Sequence, residues 1–526
     1  MSSISLSRVG WSTPDGRPIL SGLDFQFRRE RTGLVGRNGI GKSTLLRLVA
    51  GALTPATGSI SIDGSIAVLG QTVQPGPDER IADLFGARAG LALLDKADAG
   101  EATIDEIGNA DWTLRERIDE ALADVGLRLA AETPLAALSG GQRTRAALAG
   151  AIFAAPDILL LDEPTNNLDR EGRDAVRGLL RNWRGGAVVV SHDRELLEEM
   201  DAIVELTARG AARYGGGWSA YRARKDIEQA AAEADLAGAE RRMDDARRQA
   251  QAATEKQDRR DAGGRRKAGR GDMPKIVIGG LKRRAEETRA AAARLADRQR
   301  SEAETAARLA RDRIEVIDPL SAGLPSTGLP ASRTVLELDR VTAGYAEGAP
   351  VIRDFSLTIT GPERIAIVGP NGSGKSTLIA LIAGTLDPWS GTVRAPVPPA
   401  IFDQSVSLLD PARSIADNFL IRNGGTTNNQ CRAALARFRF RAEAADRIVG
   451  TLSGGQMLRA GLACVLGAPQ PPSLLILDEP GNHLDLDSLT AIETGLATYD
   501  GALLVVSHDP TFLEAIGIER TITLGP

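Results

Sequence analysis

The stretch Gly36-Arg37-Asn38-Gly39-Ile40-Gly41-Lys42-Ser43-Thr44 returns as Gly369-Pro370-Asn371-Gly372-Ser373-Gly374-Lys375-Ser376-Thr377. Each reads Gly-x-x-x-x-Gly-Lys-Ser. In such a loop the glycines leave backbone N–H groups bare to a β-phosphate, the lysine meets the β- and γ-phosphates, and the serine hydroxyl reaches Mg²⁺. The chemistry needs a strand before the loop and a helix after it. Thr32 to Val35 and Ile365 to Val368 are apolar runs of strand length. Leu45, Leu46, Leu48 and Val49, and in the second copy Leu378, Ile379, Leu381 and Ile382, follow at helical spacing. Strand, phosphate loop and helix are therefore expected twice.

The two lysines are 333 residues apart, and Gln71 and Gln404 keep that offset. Further on, Leu138-Ser139-Gly140-Gly141-Gln142 returns as Leu452-Ser453-Gly454-Gly455-Gln456, an offset of 314, so the first copy holds 19 extra residues, which fall within 87–133. Ile104, Ile107, Leu114, Ile118, Leu122 and Val125 give that interval a helical pattern. A serine followed by two glycines again exposes N–H groups able to cradle a phosphate. Beyond these loops the pairs Asp162/Asp478 and His192/His508 are each 316 apart. The runs Ile158–Leu161 with Ala187–Val190, and Leu474–Leu477 with Leu503–Val506, suit strands covered on both faces of a parallel sheet. An internal repeat of this kind predicts two α/β domains of one type.

With 526 residues, 42% hydrophobic and 25% charged, the chain has the composition of a globular protein of two or three domains. No run approaches the roughly 18 apolar residues of a membrane span, and the first ten residues lack a basic stretch followed by an apolar one; a cytoplasmic protein is expected. Two cysteines, Cys431 and Cys464, and three histidines exclude a disulfide framework and a four-ligand zinc site.

From Tyr214 to Ile276 the sequence turns to Ala, Arg, Glu and Gln with almost no β-branched residues, which predicts helix. Steps of three and four join Gln229, Ala232, Leu236, Ala239, Met243, Ala246, Ala250 and Ala253. A second series runs Leu281, Ala285, Thr288, Ala292, Leu295, Gln299, Glu302, Ala306 and Leu309. Between them residues 261–280 hold six glycines and a proline, which predicts a break and hence two antiparallel helices, the first about 45 residues long. Pro319 to Ser332, with three prolines and two glycines, reads as an irregular link. From Lys256 to Arg284 eleven basic residues face three aspartates, a local +8, so with −5 overall the rest of the chain carries −13. A charge run of one sign at the far end of a projection from an acidic body points to a phosphate-rich partner.

The ordered set of phosphate loop, Ser-Gly-Gly-Gln loop and Asp-Glu-Pro resembles the cassettes of the ATP-binding cassette superfamily. Two cassettes, a basic linker and no membrane segment resemble its F subfamily, the ribosome-associated translation factors. The resemblance implies two composite ATP sites, Ser139–Gln142 and Ser453–Gln456 each capping the ATP held by the other cassette. It implies that Asp162 and Asp478 hold Mg²⁺ through water, that Glu163 and Glu479 polarise the attacking water, and that His192 and His508 sense the γ-phosphate. Gln71 and Gln404 would stand near Mg²⁺ and the attacking water, and Trp11 and Tyr345 would stack on adenine. The implied organisation is two P-loop cassettes, 1–216 and 333–526, joined by an antiparallel helical, coiled-coil linker, 217–332, with ATP and Mg²⁺ as cofactors and the cassettes paired within a monomer. The implied partner is the ribosome, the linker tip near Asp272-Met273-Pro274-Lys275 reaching toward rRNA and the P-site tRNA from the tRNA exit site. Within the subfamily pattern Asn167 replaces a histidine and Gly481 a threonine, while His483 is kept. These departures put equal turnover at the two sites in doubt. An energising subunit of a transporter would not need the basic linker. Of the repair and chromosome-organising ATPases, one type carries zinc-binding cysteines and the other splits a single cassette around a far longer coiled coil.

Overall fold

The computed structural model describes residues 2–525 except 71–75, 77, 167, 269–293, 295–297, 299–300, 303, 309–323, 347, 404–405 and 483, with the backbone alone for 246–247, 249–250, 253–254, 256–258 and 260–268. The chain divides into two compact units, Met1–Ser219 with Asp318–Pro526, and Ala220–Ile317.

The first unit repeats one architecture. In the first copy six strands lie in the spatial order Ile66–Leu69, Ile158–Asp162, Gly186–Val190, Arg31–Val35, Ala202–Thr207 and Gly210–Gly215, all parallel except the last. The second copy orders Ala400–Phe402, Leu474–Asp478, Ala502–Val506, Arg364–Val368 and Arg520–Thr523, all parallel. Ile158–Asp162 and Gly186–Val190 are buried at every position, which is why they read as unbroken apolar runs rather than alternating ones. A three-stranded antiparallel sheet accompanies each: Pro18–Phe27, Ser3–Ser12 and Thr57–Asp63, and Ile352–Thr360, Thr334–Ala343 and Ser390–Arg394.

One apolar core joins Leu6 and Leu23 of the first antiparallel sheet, Leu45 and Leu48 of the helix Lys42–Val49, and Leu160 and Val190 of the parallel sheet. The helix is thereby fixed from both sides, each buried leucine contributing roughly 1.5–3 kcal/mol. Its N-terminus, where the phosphate loop ends, is held with it.

The 19 extra residues make the helical part of the first copy larger. Ahead of its Ser-Gly-Gly-Gln turn the first copy has Ile81–Leu84, Arg88–Asp98, Ile104–Gly108 and Leu114–Asp124, and the second has Ile415–Arg422 and Asn428–Arg437. Leu114, Ile118, Leu122 and Val125 are buried as their spacing predicts. Ile104 and Ile107 are not: they are 88% and 41% exposed on a five-residue helix that is held by a Thr103–Glu106 capping box and by Lys96 on Glu106.

In the second unit the helix Trp218–Ala268 runs 51 residues, about 76 Å at 1.5 Å per residue. It passes through Gly263 and Gly264, so the break expected from Asp261 onward does not begin before Ala268. Each glycine costs only about 1 kcal/mol relative to alanine, and Ala262, Arg265, Arg266, Lys267 and Ala268 around them favour helix. Ala232 and Ala239 are buried, with Leu236 and Met243 half-buried, as the first series predicts. In the second series Glu302 is exposed and Ala307, not Ala306, is the more buried alanine. Arg270 and Asp272-Met273-Pro274-Lys275 lie outside the described residues. From Leu324 the link is irregular and is tied down by Ser326 and Thr327, which donate to the Asp500 carboxylate.

Candidate functional site

Both phosphate loops leave a central strand at its carboxyl end, one strand away from those that end in Asp162 and Asp478. Gly36 has φ +147° and Gly369 +157°, and a Cβ there would stand 2.4 Å from Leu206 O and 2.6 Å from Leu524 O. Only glycine lets the backbone pass so close to the neighbouring strand. Gly41 and Gly374, at φ +108° and +94°, then turn the chain into Lys42–Val49 and Lys375–Ile382. Neither helix has an acidic residue in its first turn, so the N–H groups and the positive end of the dipole face no carboxylate there.

Lys42 Nζ donates to Gly36 O at 2.6 Å and Arg37 O at 3.3 Å, and Lys375 Nζ to Gly369 O and Pro370 O at 2.7 and 2.9 Å. Burial pushes both ammonium groups down, against the pull of Glu163, Asp485, Asp162 and Asp487 on Lys42 and of Glu479, Asp169 and Asp478 on Lys375. Ser43 Oγ donates to Asp162 Oδ1 at 3.1 Å, and burial raises the Asp162 and Asp478 carboxyls. Two hard oxygens converging beside a phosphate loop fit Mg²⁺, which takes one or two carboxylates and fills its remaining positions from phosphates and water. Among the described residues no cluster of three or more His, Cys, Asp or Glu side chains could hold a metal without that help.

Glu163 and Glu479 follow the strand ends in the left-handed region, φ +52° and +47°. Such a conformation costs a non-glycine residue of order 1–3 kcal/mol and collects at functional sites. Their amides donate to Val190 O and Val506 O, which fixes them against the neighbouring strands. His192 Nε2 is 3.3 Å from Glu163 Oε1, and His508 Nε2 is 3.4 Å from Glu479 Oε1. Burial pushes His192 down to about 3 and His508 to about 4, so both imidazoles are neutral at pH 7. It pushes the Glu163 carboxyl well up and Glu479 up to about 7. In each Ser-His-Asp turn the aspartate caps the next helix, Asp193 accepting from Leu196 N and Asp509 from Phe512 N. The serines accept the N–H groups of these aspartates, so the turn is held by its flanks and the histidine is left to the site.

A cavity of about 430 Å³ joins these groups in the first copy, lined by Trp11 and Ile19 as well as by Lys42, Ser43, Glu163 and His192. That volume lies in the usual range of small-molecule sites. Tyr345, its counterpart in the repeat, is 70% exposed. Gln71, Gln404, Asn167 and His483 lie outside the described residues.

Ser139 and Ser453 are the N-caps of Gly140–Phe153 and Gly454–Leu466. Each hydroxyl accepts from the glutamine N–H three residues on, and the glutamine side chain accepts the serine N–H. The Ser-x-x-Gln spacing is that of a capping box, a signal present in the sequence but not used there. Gly140-Gly141 and Gly454-Gly455 are thus the first residues of helices rather than open loops, and no acidic residue stands in either first turn.

The cassettes meet head to tail, each phosphate loop held by an aspartate, Asp485 or Asp169, that local sequence patterns did not single out. Asp485 caps its own helix Leu486–Ala497 with Oδ1, on Ser488 N, and with Oδ2 accepts Asn38 N of the first phosphate loop at 3.0 Å. Asp169 does the same in reverse, capping Arg170–Asn182 on Gly172 N and accepting Asn371 N at 3.2 Å. Gly455 of the second Ser-Gly-Gly-Gln turn packs on that first helix, where a Cβ would stand 2.7 Å from Ser488 Oγ. The first phosphate loop and the second Ser-Gly-Gly-Gln turn therefore flank one short segment of the second cassette.

Paired P-loop domains with a carboxylate, a neutral histidine and an open helix N-terminus at each sheet end define a nucleotide-binding ATPase. The family model described as ABC transporter matches residues 20–166 and 352–482. The tylosin resistance ATP-binding protein TlrC of Streptomyces fradiae is 32% identical over 525 residues, 94% of this chain and 92% of that one. The energy-dependent translational throttle protein EttA of Mycobacterium tuberculosis is 30% identical over 512 residues, 92% and 84% of the two chains. In fold, the solved structure titled RNase-L Inhibitor covers 99% of this chain and 87% of its own at a TM-score of 0.54 and 19% identity. The chain belongs to the ATP-binding cassette family and, within it, to the F subfamily. It is an ATP-binding, ATP-hydrolysing protein, and among its described residues no helix is long and apolar enough to cross a membrane.

Proposed function

We propose that the chain hydrolyses ATP at two composite sites and uses the cycle to act on the ribosome, as a translation factor or as a factor protecting the ribosome from an antibiotic. The first site comprises Gly36 to Thr44, Asp162, Glu163 and His192 with Ser453 to Gln456; the second comprises Gly369 to Thr377, Asp478, Glu479 and His508 with Ser139 to Gln142. The reciprocal bonds Asn38–Asp485 and Asn371–Asp169 carry this reading, because each places one phosphate loop against the opposite cassette.

In each site Lys42 or Lys375 leaves its backbone carbonyls for the β- and γ-phosphates, and the helix N-terminus neutralises charge from behind. Ser43 with Asp162, and Ser376 with Asp478, would hold Mg²⁺, joined by Gln71 and Gln404; when bound, the ion would supply positive charge that offsets the charge of the phosphates. Glu163 and Glu479, raised by burial, take a proton from the attacking water. His192 and His508, neutral, would each donate an N–H to the γ-phosphate without adding charge. Trp11 lines the same cavity, where a purine would stack on its ring, and Tyr345 would serve the second site. The Ser-Gly-Gly-Gln turn of the opposite cassette closes the phosphates with its N–H groups, which confines pairing to one chain and makes a monomer sufficient.

The ribosomal reading is supported by two relatives, one named a translational throttle and one for tylosin resistance. It is supported too by the +8 between Lys256 and Arg284, suited to rRNA and tRNA phosphates. A cytoplasmic location follows from that partner. Co-sedimentation with ribosomes in ATP, using Glu163→Gln with Glu479→Gln to hold ATP, tests it. Binding should fall steeply with salt, and Arg265, Arg266, Lys267 and Arg270→Ala should weaken it and flatten that slope while ATP binding persists. No ATP-dependent binding would overturn the proposal.

A further inference from the structure

The two halves of the interface are not built alike. Helix Leu486–Ala497 of the second cassette is bonded to the first at four points along one side. Asp485 takes Asn38 N, and Asp487 pairs with Arg37 Nε at 3.4 Å. Glu493 takes both terminal nitrogens of Arg194 at 2.7 and 3.1 Å, and Thr490 Oγ1 lies 3.4 Å from the second of them. The Arg194 and Glu493 side chains are 9% and 10% exposed, so this fork is shielded from water and salt. Arg194 also follows directly on His192-Asp193, the histidine turn of the first site.

The repeat offsets identify the equivalents on the other side. Arg37 corresponds to Pro370 and Arg194 to Pro510, neither of which has a side-chain donor. Asp487, Thr490 and Glu493 correspond to Glu171, Asp174 and Arg177, and Arg177 pairs with Asp174 and Glu195 of its own cassette. Of the four bonds, Asp169 with Asn371 N is the one whose groups the repeat retains.

We infer that Arg37 and Arg194 are positioning residues which latch the first ATP site shut. When the cassettes part they do so at the second site, and nucleotide leaves the first site more slowly. The inference rests on the composite-site reading above. Both cations act through the second cassette: Arg37 holds the phosphate loop to the N-terminal turn of Leu486–Ala497, and Arg194 holds the histidine turn two helical turns further along it. A nucleotide in the first site would be enclosed by a segment that the Arg37 and Arg194 pairs keep in place, and one in the second site by a segment that lacks both pairs, because Pro370 and Pro510 stand at the equivalent positions.

Release of the fluorescent nucleotide mant-ATP, with Mg²⁺, from the full chain carrying Glu163→Gln and Glu479→Gln tests this. Two phases at least tenfold apart are expected. Lys42→Ala should remove the slow phase, and Lys375→Ala the fast one. Arg37→Ala should bring the phases closer. Adding Arg194→Met with Glu493→Met, which removes the buried pair together and leaves no lone charge, should merge them to within about twofold. One phase in the parent, loss of the fast phase in Lys42→Ala, or an unchanged separation after the latch is removed would each overturn the inference. Ser453→Arg separates the two readings. If the slow phase survives it, the composite site itself is wrong and the latch falls with it; if Ser453→Arg abolishes the slow phase but removal of the latch does not, the latch alone is wrong.

Discussion

His192 Nε2 stands 3.3 Å from Glu163 Oε1 in the first site, and the pair is repeated by His508 and Glu479 at 3.4 Å in the second. A histidine kept neutral by burial cannot cancel the charge of the carboxylate beside it, so the glutamate keeps its raised proton affinity and with it its strength as a base. Glu163→Gln with Glu479→Gln should preserve ATP binding and lower phosphate release by about 10²-fold or more. Wild-type turnover in this double variant would remove both glutamates from the reaction.

The carboxylates of Asp169 and Asp485 sit below the ordinary range. Burial works against their ionisation, but the N–H donors of Asn371 and Gly172 in one case, and of Asn38 and Ser488 in the other, outweigh it. The folded chain thus favours the ionised form. The stability this adds is complete above the unfolded value of about 3.9 and is lost as pH falls below it through the folded values. Thermal unfolding should show Tm dropping in that acid window. Asp169→Asn with Asp485→Asn should be less stable at pH 7 and show a shallower drop; an equally steep one would mean that these carboxylates do not titrate with folding.

Gly455 and Gly140 offer a contrast between two glycines of the Ser-Gly-Gly-Gln turns. A Cβ at Gly455 would meet Ser488 Oγ at 2.7 Å and Ser488 Cβ at 3.0 Å, whereas one at Gly140 meets nothing within 4 Å. Gly455→Ala should destabilise by about 1–3 kcal/mol and be rescued in part by Ser488→Gly, while Gly140→Ala should stay within about 0.5 kcal/mol. Chemical denaturation of the three variants checks this, and equal effects at the two glycines would show that the close approach to Ser488 does not matter.

Cys464 is buried in the second helical core, where loss of hydration pushes its thiol up to about 12. A thiol reagent should therefore leave it unmodified in the native chain at pH 8 and label it once urea unfolds the second cassette. Rapid native labelling at Cys464 would show that this core opens far more readily than its packing implies.

The phosphate loops, the Asp-Glu strand ends and the Ser-His-Asp turns were legible because each is local: a few residues set their own backbone and the repeat shows them twice. The bonds of Asp169 to Asn371 and of Asp485 to Asn38 join residues about two hundred and about four hundred and fifty positions apart. No periodicity reports which surfaces meet, so nothing local pointed to these aspartates. Ile104 lies on a helix, as its spacing indicates, but stays exposed, since an apolar residue at helical spacing indicates a helix and not that the helix has a neighbour. Gly263 and Gly264 misled in the other direction: glycine lowers helix stability by an amount that strong formers on both sides can offset.

The left-handed backbone at Glu163 and Glu479 sets the interests of the fold against those of the chemistry. Asparagine or glycine would occupy those positions with less strain, of order 1–2 kcal/mol for each, and would also remove a carboxyl from a buried place. A chain evolved in the laboratory for heat resistance alone would be drawn to replace these two residues and would emerge sturdier and inert. A screen for durable variants must therefore score turnover in every round, or hold positions 163 and 479 fixed from the start.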